Sequence, residues 1–168
     1  EGVKVFHLEA GNRSFDKRVP EETNRLIIDH ISTYNLCYTE RSKENLNKEG
    51  MLNNVFVMGN PIKEVMNAYE DKIAQSTILD KLNLKPKDYV LVTFHREENV
   101  ASKTPLEQTV LALNDIAAKY NKKVIFSTHP KTRDMLEKFS IKASENIIFS
   151  EPFGFLDFHK LMDNAFLV

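Results

Sequence analysis

The chain has 168 residues, 42% of them hydrophobic, enough to bury a core in one ordinary domain or two small ones and too many for a disordered chain. A formal net charge of -1 gives no footprint for general nucleic-acid binding, so any anion site must be built locally. The single cysteine, Cys37, sits in the apolar run Tyr34-Asn35-Leu36-Cys37-Tyr38 and reads as a buried free thiol, which excludes an intramolecular disulfide and a cysteine metal cage.

Short β-rich runs alternate with helical patterns, the signature of βαβ units and a mainly parallel sheet. The first strand is expected over Val3 to Leu8, followed by a loop of Gly11, Asn12, Arg13 and Ser14, and then by Pro20 in the first turn of a helix. On that helix Thr23, Leu26, Ile27 and His30 share one face by the i, i+3, i+4, i+7 rule. Leu36 to Tyr38 reads as a strand, Glu40 to Glu49 as a helix ended by Gly50, and Val55 to Met58 as a strand broken by Gly59-Asn60-Pro61. Residues 1–61 thus form a first lobe, and the charged, weakly apolar helical stretch 62–85 reads as a connector. The second lobe, 86–168, opens with a strand at Tyr89 to Phe94. Next comes a capping box at Thr104-Pro105-Leu106-Glu107, whose helix shows Leu106, Val110, Leu113 and Ala117 on one side. Strands at Val124 to Thr128, Ile147 to Phe149 and Phe166 to Val168 follow, separated by helices near Thr132 to Phe139 and Leu156 to Met162. Opening almost inside one strand and closing inside another, the chain looks cut from something longer. No run reaches the ~20 apolar residues of a membrane span, and Glu1-Gly2-Val3-Lys4 is not a secretory signal, so a cytoplasmic setting without a membrane partner is expected. Neither Gly-x-Gly-x-x-Gly nor a P-loop is present.

Three strands run directly into ionisable residues: the first into His7 and Glu9, the fourth into His95, the fifth into His129. Ligands of open α/β sheets bind outside the carboxyl ends of the strands, so these residues point to an enzyme or an anionic-ligand binder. In His7-Leu8-Glu9-Ala10-Gly11-Asn12-Arg13, Glu9 is either a proton carrier or half of a structural Glu-Arg pair. In Arg18-Val19-Pro20-Glu21-Glu22, the two carboxylates either stabilise a helix N-terminus or place Glu21 near Glu9 for proton transfer on opposite faces of a substrate. The string His95-Arg96-Glu97-Glu98-Asn99 suits a phosphate or diphosphate through imidazole and guanidinium donors, with a solvated charged loop as the alternative. His129-Pro130-Lys131-Thr132 repeats the strand-to-histidine arrangement, and no pair of histidines has a chelating spacing.

Together, His7-Leu8-Glu9-Ala10-Gly11, Val19-Pro20-Glu21-Glu22-Thr23-Asn24-Arg25, Gly59-Asn60-Pro61, His95-Arg96-Glu97-Glu98-Asn99 and Pro152-Phe153-Gly154-Phe155 resemble the successive motifs of the non-hydrolysing UDP-N-acetylglucosamine 2-epimerase family. The stretch from Gly11 to Asp16, with Arg18 to Glu22, is similar to the branch that forms UDP-N-acetyl-L-fucosamine. The resemblance implies two Rossmann-like lobes of GT-B type, a homodimer, and a chain covering about half of the family's length, so that each lobe is incomplete and the chain alone inactive. Absent at the front would be the first strands with a basic loop and a further catalytic aspartate; absent at the back, an Asp-Ser-Gly loop and a ribose-gripping glutamate pair. It also implies expulsion of UDP from sugar carbon 1 as the carbon 2 proton leaves, a glycal intermediate, and re-addition after protonation on the other face, with neither nicotinamide nor metal. By position, Glu9 and Glu21 resemble the acid/base carboxylates and His95 the group serving the leaving UDP. Arg13, Arg96 and His129 resemble diphosphate or active-site partners, while Phe153 and Phe155 either line the uracil pocket or pack in the core. The activity so implied belongs to nucleotide-sugar biosynthesis for cell-surface polysaccharide; a GT-B glycosyltransferase and a non-catalytic UDP-sugar-binding module are the alternatives.

Overall fold

A computed structural model describes residues 2–94 and 100–168, so His95 and Arg96 lie outside the described residues. The chain divides into two compact units, Glu1–Asn67 and Ala68–Val168.

In the first unit three parallel strands, β1 (Phe6–Leu8), β2 (Tyr34–Cys37) and β3 (Val55–Val57), lie in sequence order. The crossover β1 to β2 is helix α1 (Pro20–Ile31), and β2 to β3 is α2 (Glu40–Lys48); α3 (Ile62–Ala68) follows β3. Two right-handed crossovers in the same direction place both helices on one face of a sheet. The register puts His7, Asn35 and Val55 side by side on that face, where Asn35 Nδ2 donates to the α1 carbonyl of Asp29 at 3.1 Å and Leu46 of α2 packs with Cys37 and Val55. The opposite face carries Leu8, Leu36 and Phe56 in register, with Phe6 stacked on Tyr34. Burial raises the Cys37 thiol above its ordinary value.

Helix α2 begins at Thr39, whose side chain accepts from the Ser42 N–H at 3.1 Å. It ends in a Schellman turn: Gly50 adopts φ +88°, its N–H donates to Asn47, and Met51 N–H donates to Leu46. That ending holds Glu49 at the last turn.

Helix α1 departs from expectation. Thr23, Ile27 and His30 are exposed, and the inward stripe is Glu22, Arg25, Leu26 and Asp29, with Glu22 and Asp29 buried. Periodicity alone favours the isoleucines, yet Ile27 and Ile31 are 55% and 67% exposed. Burial of a carboxylate is unfavourable unless it is hydrogen-bonded, and both buried carboxylates are fully engaged with the loop that precedes the helix.

In the second unit the parallel strands β4 (Tyr89–Thr93), β5 (Lys123–Ser127) and β6 (Ile147–Ser150) are joined by α6 (Lys103–Tyr120) and α7 (Pro130–Lys138). Leu106, Val110, Leu113 and Ala117 of α6 cover Val90, Val124 and Phe126, as the sequence spacing predicts. After β6 the chain crosses the other face as α8 (Phe155–Asn164) and returns beside β4, where Leu167 bridges Val90 in parallel. Leu161 and Ala165 thereby join Tyr89, Leu91 and Ile125 in a second core layer. The sheet is wound in both directions from β4, which makes the carboxyl end of β4 a topological switch point.

The expected capping box is not formed: α6 starts at Lys103 behind Ser102, so Thr104 and Pro105 both lie inside its first turn. Proline fits there because the first four N–H groups of a helix have no intrahelical partner. The helical stretch 62–85 is broken into α3, α4 (Glu70–Ala74) and α5 (Ile78–Lys81). A straight helix would set Ile73 and Ile78 about 140° apart. The break lets both become buried, and α4 and α5 pack on α8 as part of the second unit. No helix of the described residues is long and apolar enough to cross a membrane.

Candidate functional site

The carboxyl ends of β1, β2 and β3 surround a cavity of about 190 Å³ lined by Glu9, Asn12, Tyr38, Thr39, Ser42 and Asn60. Each strand contributes to it through the residues that follow its last ladder position, the usual ligand location in an open α/β sheet. Glu9 has φ +73°, a left-handed conformation that costs a residue with a Cβ about 1–2 kcal/mol. Its Oε1 accepts from Asn12 Nδ2 at 2.9 Å and from Arg25 Nη2 at 3.1 Å. Both donors reach the same oxygen, and the side chain is 40% exposed, so Oε2 remains for a ligand in the cavity. Glu21 lies exposed in the first turn of α1, four residues before Arg25 and hence on the same helix stripe one turn away. Of the two candidate carboxylates, Glu9 is the one that Arg25 reaches.

Arg13 has a different setting from the one its position suggests. Its side chain is 1% exposed, with Nε and Nη2 donating to both oxygens of Glu49 at 2.8 and 2.6 Å and Nη2 also 2.7 Å from Asp29 Oδ2. Nη1 donates to the Asn12 carbonyl at 3.0 Å. With four of its five N–H groups engaged and its side chain buried, this guanidinium holds the turn rather than facing the cavity. Hydrogen bonding to Glu49, against the opposing effect of burial and with help from Asp29, raises its pKa further above the ordinary arginine range.

Three carboxylates hold the loop between β1 and α1: Asp29 and Glu49, which the motif reading passes over, and Glu22, which it reads only as a helix N-terminal charge. Asp29, buried, accepts from His7 Nδ1 at 2.6 Å, from the Gly11 N–H at 3.3 Å and from Arg13. Glu22 accepts from the Ser14 N–H at 2.7 Å, the Ser14 hydroxyl at 3.0 Å and the Phe15 N–H at 3.2 Å. Burial works to raise the Glu22 carboxyl, but these bonds and the Arg13 charge outweigh it and hold it below the ordinary carboxylate range. Glu49 completes the set from α2. The one sequence signal for Asp29 is its position inside Leu26-Ile27-Ile28-Asp29-His30-Ile31, a carboxylate among four apolar residues.

In the second unit His129 caps α7, with Nδ1 accepting from the Lys131 N–H at 3.3 Å. An accepting Nδ1 places the ring proton on Nε2, so the exposed imidazole presents a donor at the carboxyl end of β5. Phe94, the last described residue before His95, has its carbonyl 3.5 Å from Thr132 Oγ1 in the first turn of α7. Phe153 is half-buried against the Leu91 and Leu161 core layer, so packing accounts for it. Phe155 at the start of α8 is 40% exposed and stands edge-on to Tyr69 and His159. Among the described residues no group of three or more His, Cys, Asp or Glu side chains has the arrangement to hold a metal ion.

Two parallel sheets, the first with Glu9 outside its strand ends, define an α/β protein of two Rossmann-like units, of GT-B type. Across residues 1–168 the chain matches the family model described as UDP-N-acetylglucosamine 2-epimerase, and it belongs to that family. It is 39% identical to the UDP-N-acetylglucosamine 2-epimerase of Methanocaldococcus jannaschii, over 99% of this chain and 48% of that protein. Among solved structures, the UDP-N-acetylglucosamine 2-epimerase of Rickettsia bellii superposes with a TM-score of 0.84 at 43% identity, over 98% of this chain and 44% of its own. The Methanocaldococcus jannaschii enzyme in complex with UDP-GlcNAc and UDP gives a TM-score of 0.84 at 38% identity, over 96% of this chain and 46% of its own. The chain therefore spans about half the length of the relatives it matches.

Proposed function

We propose that this chain carries part of the active site of an enzyme that inverts carbon 2 of a UDP-N-acetylhexosamine. The observation that carries this reading is the left-handed, Arg25-linked Glu9 at the strand-end cavity of a chain that matches the epimerase family over its whole length. The carbon 2 proton passes to one carboxylate as the bond between carbon 1 and the UDP oxygen breaks, giving UDP and a glycal. A proton then returns to carbon 2 on the other face and UDP adds back to carbon 1. Glu9, held by Arg25, and Glu21 serve as the two proton carriers. His95 and Arg96 stabilise or protonate the departing diphosphate, His129 offers it Nε2–H, and Phe155 supplies an open aromatic face for uracil. Phe153 anchors that loop in the core, and Arg13 binds no substrate. A homodimer in the cytoplasm supplying nucleotide sugar for surface polysaccharide, on the UDP-N-acetyl-L-fucosamine branch, completes the proposal.

Solvent deuterium tests it. The whole enzyme with UDP-N-acetylglucosamine in heavy water places deuterium at carbon 2 without any acceptor. Transfer of the sugar to an acceptor with no such label supports a glycosyltransferase instead, and binding of UDP-sugar with neither outcome supports a non-catalytic module.

A further inference from the structure

We infer that Asp29 is a positioning residue for proton transfer, holding the turn that carries Glu9 without touching substrate. Its carboxylate receives His7, two residues before Glu9, and Gly11, two residues after it, so a single buried group brackets the candidate base. The third donor, Arg13, ties the same carboxylate to Glu49 at the end of α2, and Asn35 of β2 bonds the Asp29 backbone carbonyl. Asp29 is therefore joined to β1, β2, the turn and α2.

The turn needs such external bonds. Glu9, Gly11 and Phe15 have φ of +73°, +72° and +58°, three left-handed residues within seven. Conformations of this kind persist in residues with a Cβ only where surrounding structure over-determines them. Asp29 supplies that restraint on the Glu9 side, as Glu22 does for Ser14 and Phe15. The Asp29 side chain itself is fully buried and does not line the cavity, so its influence on chemistry runs through Glu9. Displacement of a catalytic group by about 1 Å is enough to cost roughly a hundredfold in rate.

The activity arm of the test rests on the epimerase reading; the exchange arm does not. In the whole enzyme, Asp29→Asn lowers turnover of UDP-N-acetylglucosamine about tenfold to a hundredfold with KM changed by less than about threefold. Combined with Glu9→Gln, the same substitution causes no further loss, because the group it positions is already gone. An equal loss in both backgrounds overturns the inference in favour of a merely structural role. Should Asp29→Asn lower the folded fraction, His7→Ala removes one donor from the same carboxylate, and its loss must likewise vanish beside Glu9→Gln. In the 168-residue chain, Asp29→Asn speeds hydrogen exchange at the Gly11 amide about tenfold while β5 amides are unchanged. Unaltered exchange at Gly11 refutes the restraint even if the enzyme proves not to be an epimerase.

Discussion

Gly11 and Gly50 share a left-handed backbone, with φ of +72° and +88°, and differ in what surrounds them. A Cβ on Gly50 meets nothing within 4 Å, so Gly50→Ala bears only the conformational penalty of about 1–2 kcal/mol. A Cβ on Gly11 would stand 2.1 Å from the Ser42 carbonyl oxygen, 2.8 Å from its carbon and 2.9 Å from Leu46 Cγ. Two of those atoms are backbone at the start of α2, and Asn45 of the same helix holds the Gly11 carbonyl at 3.0 Å, so the helix has to move. Overpacking of this kind adds about 1–3 kcal/mol, which brings Gly11→Ala to about 2–5 kcal/mol. Native-state hydrogen exchange at the β2 amides of Asn35 and Cys37 reads the stability of the first unit by itself. Equal losses for the two variants would refute the argument that α2 closes directly on the turn.

Glu22 is held below its ordinary value of 4.5, so its contribution to stability is complete above that pH and is lost as pH falls through the folded value; Glu22→Gln should flatten the acid limb of the unfolding midpoint. Tyr89, pushed up to about 12 by burial and by the nearby Asp163 charge, favours the neutral phenol in the folded state. Its contribution is intact below the unfolded value of 10.0 and is lost as pH rises through about 12, so Tyr89→Phe should remove that alkaline step from the denaturation profile. In the whole enzyme, His95→Ala should lower turnover about tenfold to a thousandfold through loss of a group serving the leaving diphosphate, measured with saturating UDP-sugar. Glu21→Gln should depress deuterium wash-in at carbon 2 while UDP binding persists in calorimetry; wash-in at the normal rate would leave Glu21 a helix-dipole residue only.

The strand and helix alternation is legible in the sequence because a parallel sheet buried on both faces demands continuous apolar runs, as at Tyr89–Thr93 and Lys123–Ser127. The covering face of α6 is legible for the same reason, its inward residues being apolar at helical spacing. The inward face of α1 is not, since a rule that counts apolar residues cannot see a helix whose buried positions are Glu22 and Asp29. Nor can local signals choose between two compatible helix starts, and the Thr104 cap gave way to one two residues earlier.

The candidate site shows a related division between residues that look alike in the sequence. Arg13 and Arg25 both stand in motifs with nearby glutamates, yet one is buried beneath the turn and the other reaches Glu9 at the cavity. What separates them is the partner brought from elsewhere. Gly50 ends α2 so that Glu49 meets Arg13 across 36 residues, and Asp29 meets it from α1. Arg25 instead donates to the half-exposed Glu9. Strand ends announce where polar groups collect, whereas the choice between holding the turn and meeting a ligand rests on carboxylates that no local motif contains. Buried carboxylates around the turn therefore belong to the description of the site as much as the exposed ones do, because Asp29 bonds the residues on either side of the left-handed Glu9.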